Sequence, residues 1–200
     1  MCVLGEGSPE VSDEISDILA EIATTNTENT WNTVHAIHYE CVRTIMTIQS
    51  NQGLWVLGIN ILGRFLINKE NNIRFVALKT LQQVVELDYQ AVQRHKQTII
   101  DCLKDHDIVI KKKALDLLYQ ICTTANVKSI VKELMGFLPG AEKEFKEELA
   151  QKICRAVEKH APNKKWQLDT VLKVLTLAGA DVQENFVCSL INLIASTSEL

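Results

Sequence analysis

Glycine and proline are scarce in this sequence, with eight and three among 200 residues. So few turn formers cannot punctuate the many short strands of a β-sandwich or barrel, which leaves helices joined by short loops. Cysteine occurs six times, as Cys2, Cys41, Cys102, Cys122, Cys154 and Cys188, but never as C-x-x-C. Most of these fall inside apolar helical patterns, where a free thiol behaves as a small buried hydrophobe, so reduced cysteines in the cytosol are expected. No N-x-S/T sequon occurs, and Met1-Cys2-Val3-Leu4-Gly5-Glu6 has neither the basic start nor the apolar region of a secretory signal. Long apolar runs are missing too. The richest stretch, Leu54 to Ile67, is interrupted by Asn60 and Arg64 and falls short of the roughly 20 residues that span a bilayer. Positive charge is nearly absent at the start: residues 1–60 hold eight acids and one base, Arg43, whereas residues 61–200 hold 20 bases and 17 acids. The whole-chain charge of −4 lacks the dominant basic surface of a nucleic-acid reader.

What the chain has in abundance is apolar side chains, 46% of the total, arranged in a repeat. Ile73-Arg74-x-x-Ala77-Leu78-x-x-Leu81-x-x-Val84 aligns with Ile110-Lys111-x-x-Ala114-Leu115-x-x-Leu118-x-x-Ile121 at a shift of 37. The frame opens at Ile37, Ile73, Ile110, Phe145 and Val182, spaced 36, 37, 35 and 37 apart. Its later positions are Cys41, Val42, Ile45 and Ile48 in the first copy, and Leu149, Ala150, Ile153 and Ala156 in the fourth. Offsets of 0, 4, 5, 8 and 11 lie on one face of a 3.6-residue helix. Between the frames run other stripes: Leu54, Leu57, Ile61, Leu62, Phe65 and Leu66; Ile99, Ile100 and Leu103; Val127, Ile130, Val131, Leu134 and Phe137; Leu168, Val171, Leu172 and Leu175. Two helices per period of about 36 residues is the signature of an all-α helical-pair solenoid, a single stack over residues 1–200 with no second domain. Ordering a residue costs about 1–2 kcal/mol and a buried apolar side chain returns about 1.5–3, so a lone pair with one stripe per helix cannot stand without its neighbours. The stack is therefore expected to share one core, with apolar end faces left for further repeats or partners.

The punctuation fits that reading. Ser8-Pro9 opens a first helix striped by Val11, Ile15, Ile18 and Ile22, the polar run Thr24 to Thr33 follows as a linker, and Asn72 and Asp107 are placed to cap the helices they open. Pro139-Gly140 closes one helix before the next.

Candidate chemistry is sparse. Gly58 and Gly63 have the spacing of a phosphate loop without its Lys-Ser/Thr, so close helix packing is the favoured role. His35, His38 and Cys41 span about 120° of a helix face and carry metal-ligand atoms, yet Cys41 occupies the repeat position of Ala77 and Ala114, which favours a packing role and no metal. Lys111, Lys112 and Lys113, with Arg94 and Lys96 upstream, form the strongest basic cluster and are the candidate contact for a membrane or an acidic partner, set against a plain solvated face. Glu142 with Lys146, Lys143 with Glu147 and Glu148 with Lys152 read as i,i+4 pairs along an exposed helix. No H-E-x-x-H, no G-x-S-x-G and no nucleophile beside a base is present, so neither an enzyme nor a cofactor is expected.

Several segments carry a family resemblance: Asn60 to Leu66 (NILGRFL), Asn72 to Leu78 (NIRFVAL), Ala91 to His95 (AVQRH), Thr98 to Asp105 (TIIDCLKD) and Val157 to Gly179 (VEKHAPNKKWQLDTVLKVLTLAG). Over residues 12–197 the chain resembles the trunk of the adaptin large chains, the gamma class foremost, with Leu115 to Ile121 (LDLLYQI) also similar to the epsilon class. The resemblance implies a HEAT/armadillo-like right-handed solenoid (an α-α superhelix) forming part of an adaptin N-terminal trunk domain. It further implies a heterotetramer with beta, medium (mu) and small (sigma) subunits, peripheral on trans-Golgi, endosome and clathrin-coated vesicle membranes. An Arf-family GTPase, clathrin and phosphoinositide would be engaged through the full complex, and no nucleic acid. Cargo, clathrin and GTPase contacts are carried onto no residue here, because the family's earlier trunk helices, hinge and appendage have no counterpart in this sequence. A free-standing helical-repeat binding module and a helical-repeat nucleic-acid enzyme are the alternatives, the second disfavoured by charge.

Overall fold

A computed structural model describes residues 9–25, 32–48, 52–178 and Ile191. All regular structure among them is helical: α1 (Pro9–Thr24), α2 (Asn32–Thr47), α3 (Gln52–Phe65), α4 (Asn71–Val84), α5 (Tyr89–Gln93), α6 (Lys96–Asp101), α7 (Ile108–Gln120), α8 (Val127–Phe137), α9 (Lys143–His160) and α10 (Lys164–Ala178). Two 3-10 turns, Cys102–Lys104 and Leu138–Gly140, follow α6 and α8. The chain divides into two compact units, residues 1–98 and 99–200. The fifth frame from Val182 to Leu193, Ser8 and most of the Thr24 to Thr33 linker lie outside the described residues.

Helix starts follow side-chain chemistry. Pro9, whose missing N–H costs nothing at a helix start, is the first residue of α1. Asp107 caps α7 by accepting from Val109 N at 2.8 Å, Asp88 caps α5 through Ala91 N at 3.0 Å, and Asn163 accepts from Trp166 N at 2.7 Å in the first turn of α10. Asn72 does not cap α4 as expected: the helix begins at Asn71, and Glu70, two residues earlier, takes the N-cap position without a side-chain bond. Asn68 does the local work instead, its Oδ1 accepting from Glu70 N at 2.9 Å.

In the first unit α1 packs on α2 and α3, and α3 on α2 and α4. The frame buries Cys41, Val42 and Ile45 of α2, with Ile48 just past its end, and Ala77, Leu78, Leu81 and Val84 of α4. Its opening position behaves differently here: Ile37 is 53% exposed and Ile73 is only half-buried. The expected stripe of α1 is also rotated. Ser12, Ile15, Ser16, Leu19 and Ala23 face inward, while Ile18 is 45% exposed and Val11 and Ile22 are half-buried. Small residues win this face because they let α1 approach its neighbours; the Ser16 hydroxyl is satisfied by Ser12 O at 2.7 Å and Cys41 Sγ reaches Leu19 O at 3.5 Å. The glycines of α3 serve the same end. A methyl at Gly58 would meet Met46 Cε at 3.2 Å, and one at Gly63 would overlap the His95 ring.

In the second unit all five frame positions of α7 and of α9, from Ile110 to Ile121 and from Phe145 to Ala156, are at most 3% exposed. Helix α9 packs on α7, α8 and α10. Asn126, itself buried, closes the α7–α8 turn: its Oδ1 accepts from Thr123 N at 2.7 Å and its Nδ2 donates to Ile121 O at 2.8 Å. The 3-10 turn through Pro139 ends α8 where proline cannot continue it. Helix α10 buries Thr170, Val171, Val174 and Ala178, and Leu172, expected inside, is 49% exposed. As in α1, small side chains form the contact and a larger one turns outward.

Candidate functional site

The sequence-selected basic residues fall into different surroundings. In the first turn of α7, Lys111 is mostly covered, with Nζ 3.7 Å from Glu142 Oε1 and 5.8 Å from the centre of the Phe145 ring. Lys112 places Nζ 2.6 Å from Glu144 Oε1 and 3.5 Å from Glu148 Oε2. The Glu144 hydrogen bond, more than any other contact, raises its pKa. One turn on, Lys152 answers from α9, 2.6 Å from Asp116 Oδ1 and 5.2 Å from the Tyr119 ring centre. Glu142, Glu148 and Lys152, expected to pair along α9, thus reach across to α7. The burial that seats Phe145 on α7 sets the two helices side by side, and cross-helix partners come within reach. Lys113 is half-buried. Arg94, exposed, and Lys96, half-buried, flank His95 between α5 and α6.

The histidine and cysteine constellation of α2 is divided among three protein partners. His35 Nε2 meets Asn68 Nδ2 at 2.8 Å, His38 Nε2 lies 3.2 Å from Ile22 O, and Cys41 faces Leu19 O. Burial holds the His38 pKa below the usual histidine value, more than the Ile22 contact restores, and Arg64 and His35 add to the depression. Burial likewise lowers His95, with Arg94 second. The thiols move the other way: burial pushes Cys122 up to about 11 and Cys154 up to about 12, which leaves both protonated and poorly nucleophilic at neutral pH.

A concave site that periodicity alone did not reveal lies in the first unit. Its volume is about 320 Å³. His35, Ala36 and Tyr39 of α2 form one wall, and Phe65 with Ile73 and Val76 forms the apolar side opposite. Glu70 stands at the turn between α3 and α4, and Asn72 in the first turn of α4. The His35 and Phe65 rings meet at 5.6 Å with a 32° tilt, so the histidine is held both by its ring face and by Asn68. The apolar period carries no information about this pairing, which joins residues 33 positions apart. The signal available beforehand was the polar His35 beside the apolar opening position Ile37.

Paired helices on a period of about 36 residues, with a core along the inner frame, define an all-α helical-repeat protein. The chain belongs to the adaptin family: its residues 4–200 match the Adaptin N terminal region. Its relatives include the AP-1 complex subunit gamma of Dictyostelium discoideum, 54% identical over 99% of this chain and 22% of that protein. The AP-1 complex subunit gamma-2 of Arabidopsis thaliana is 50% identical over 99% of this chain and 23% of its own length. The human AP-1 complex subunit gamma-like 2 is 41% identical, again over 99% of this chain and 25% of its own length. The chain thus spans about a quarter of the length of the relatives it matches. Among solved structures, the crystal structure of an engineered protein superposes with a TM-score of 0.51 at 16% identity, covering 97% of this chain and 87% of that one, a likeness of fold alone. No helix among the described residues is long and apolar enough to cross a membrane.

Proposed function

We propose that the chain is trunk scaffold of a large subunit in an AP-1-type clathrin adaptor, serving vesicle-mediated transport between the trans-Golgi network and endosomes. The observation that carries this reading is identity of 41–54% to AP-1 gamma subunits along 99% of the chain. The epsilon-type alternative is not favoured, because the relatives that carry the reading are AP-1 gamma subunits. In this role the stacked helices hold beta, mu and sigma subunits in a heterotetramer peripheral to the membrane. An Arf-family GTPase, clathrin and phosphoinositide act through the whole assembly. The work is structural and not catalytic, in keeping with buried thiols that stay protonated at neutral pH. Among the basic candidates, exposed Arg94 is the proposed contact for a partner or membrane, whereas Lys111 and Lys112 are partly occupied by α9 carboxylates.

The test is affinity capture from cell extract with this chain, repeated with the upstream trunk restored. Retrieval of beta, mu or sigma subunits by either form is the expected result. Their absence from both would replace the adaptor reading with that of a separate helical-repeat binding module.

A further inference from the structure

We infer that one end of the second unit, where α7 and α9 finish and α8 and α10 begin, is a basic edge that lies against the surface of an anionic bilayer; the inference gives the scaffold reading above a membrane contact on this chain and rests on that reading for its setting. The ion pairs fix the geometry. Lys111 of α7 meets Glu142 just before α9, and Asp116, further along α7, meets Lys152, further along α9, so the two helices run side by side in the same direction. Their last turns therefore come together, and the Lys159 charge acts on the Cys122 thiol just past α7. Around this end, residues 117–130 and 157–167 hold four lysines, Lys128, Lys159, Lys164 and Lys165, against one acid, Glu158. One turn further in, Lys132 and Arg155 balance Glu133 and Asp169. Residues 99–200 carry fourteen acids and fourteen bases, and the edge is basic because carboxylates collect at the other end, where Glu142, Glu144 and Glu148 engage Lys111 and Lys112.

These four lysines are exposed, and none is ion-paired among the described residues. Lys159 suits the negative end of the α9 dipole. Lys128, Lys164 and Lys165, however, stand in the first turns of α8 and α10, the positive ends, where a cation lowers helix stability and where neither helix carries an acid. Helix formation therefore does not account for them. The turn residues Thr124, Ala125, Pro162 and Asn163 beside them are exposed as well, so the edge is open. Lysine chemistry selects the occupant. A carboxylate of a protein partner, held in one register, is matched by the planar fork of arginine, whereas ammonium groups on flexible stems meet headgroups that diffuse to them, each strengthening attachment by about fivefold. No large apolar side chain within the two stretches is exposed, so the contact is electrostatic and without insertion.

Vesicle flotation of the 200-residue chain tests this, with phosphatidylcholine alone and with phosphatidylcholine containing phosphatidylserine, at low and high salt. Binding is expected to the anionic vesicles only, and to fade as salt shortens the reach of the charges. Lys164→Gln with Lys165→Gln should weaken it by at least about tenfold. The fold should survive, since the change removes cations from a helix start, and urea stability should be equal or higher. Lys69→Gln with Lys143→Gln, exposed lysines elsewhere that alter the total charge equally, should leave binding within about twofold. An equal loss from both pairs of substitutions, binding to phosphatidylcholine alone, no binding, or preference for a soluble glutamate peptide over the vesicles would overturn the edge. Retrieval of adaptor subunits by a chain that ignores the vesicles removes the edge and leaves the scaffold reading intact. Anionic-vesicle binding that depends on Lys164 and Lys165, by a chain that retrieves no subunit, does the reverse.

Discussion

Gly63 offers a test in which one substitution changes sign with its background. In the middle of a helix, glycine to alanine stabilises by about 1 kcal/mol, because alanine has less backbone freedom to lose. At Gly63 the added methyl falls within the His95 ring, touching Nδ1, Cε1 and Cγ. Overpacking of that kind costs about 1–3 kcal/mol, and the lower half applies here, since a displaced ring brings its buried and unpaired Nε2 to water. Gly63→Ala should therefore be neutral to about 1 kcal/mol destabilising in the parent chain. With His95→Ala already in place the obstacle is gone, and the same substitution should stabilise by about 1 kcal/mol. The coupling between the two positions is then about 1–2 kcal/mol. Urea unfolding followed by circular dichroism, with tryptophan fluorescence as a second probe, measures all four chains of the cycle. Stabilisation by Gly63→Ala in the parent, or an equal effect in both backgrounds, would refute the packing argument.

Other perturbations follow from the same structure. Asn126→Ala strips the α7–α8 turn of two hydrogen bonds, one buried and one partly so, and should cost about 2 kcal/mol in urea unfolding; a loss below about 0.5 would show that the turn closes without them. His38 and His95 have folded-state pKa values below that of the unfolded chain, about 6.5, so the unfolded chain takes up protons first. Their contribution is present above about pH 6.5 and lost as pH falls toward the depressed values, and His38→Gln with His95→Gln should flatten the fall in stability between about pH 7 and 5. Asp116→Asn should cost about 0.5–1 kcal/mol by loosening Lys152, with a smaller effect in high salt; an effect independent of salt would point to packing. Cys122 and Cys154 should resist a thiol reagent at pH 8 until urea unfolds the chain, and prompt labelling in the folded state would contradict their burial.

Much of the fold was legible because the repeat writes its core at fixed helical offsets. The last four frame positions of α2, α4, α7 and α9 are all buried, from Cys41 to Ala156. The stripes of α1 and α10 were misread for one reason: apolar counting selects the largest hydrophobes, whereas Ser12, Ser16, Thr170 and Ala178 face the core, and Ile18 and Leu172 turn away. A serine or threonine that satisfies its hydroxyl within its own helix is invisible to such counting. The basic triplet was visible as a charge run, but its partners were not, since Glu144 and Glu148 lie more than thirty residues from Lys112 and meet it only once α9 packs on α7. The concave site depends on long-range contacts of the same kind, the His35–Asn68 bond above all. Family membership was legible from runs such as NILGRFL and NIRFVAL, which carry more information than any single residue.

The central claim, that this chain is adaptor scaffold, is tested most directly by reconstitution. The chain with its upstream trunk restored is mixed with purified beta, mu and sigma subunits, and the products are weighed by native mass spectrometry. A heterotetramer containing one copy of each chain is the expected product. A set of subunits that assemble with one another while this chain stays alone would contradict it.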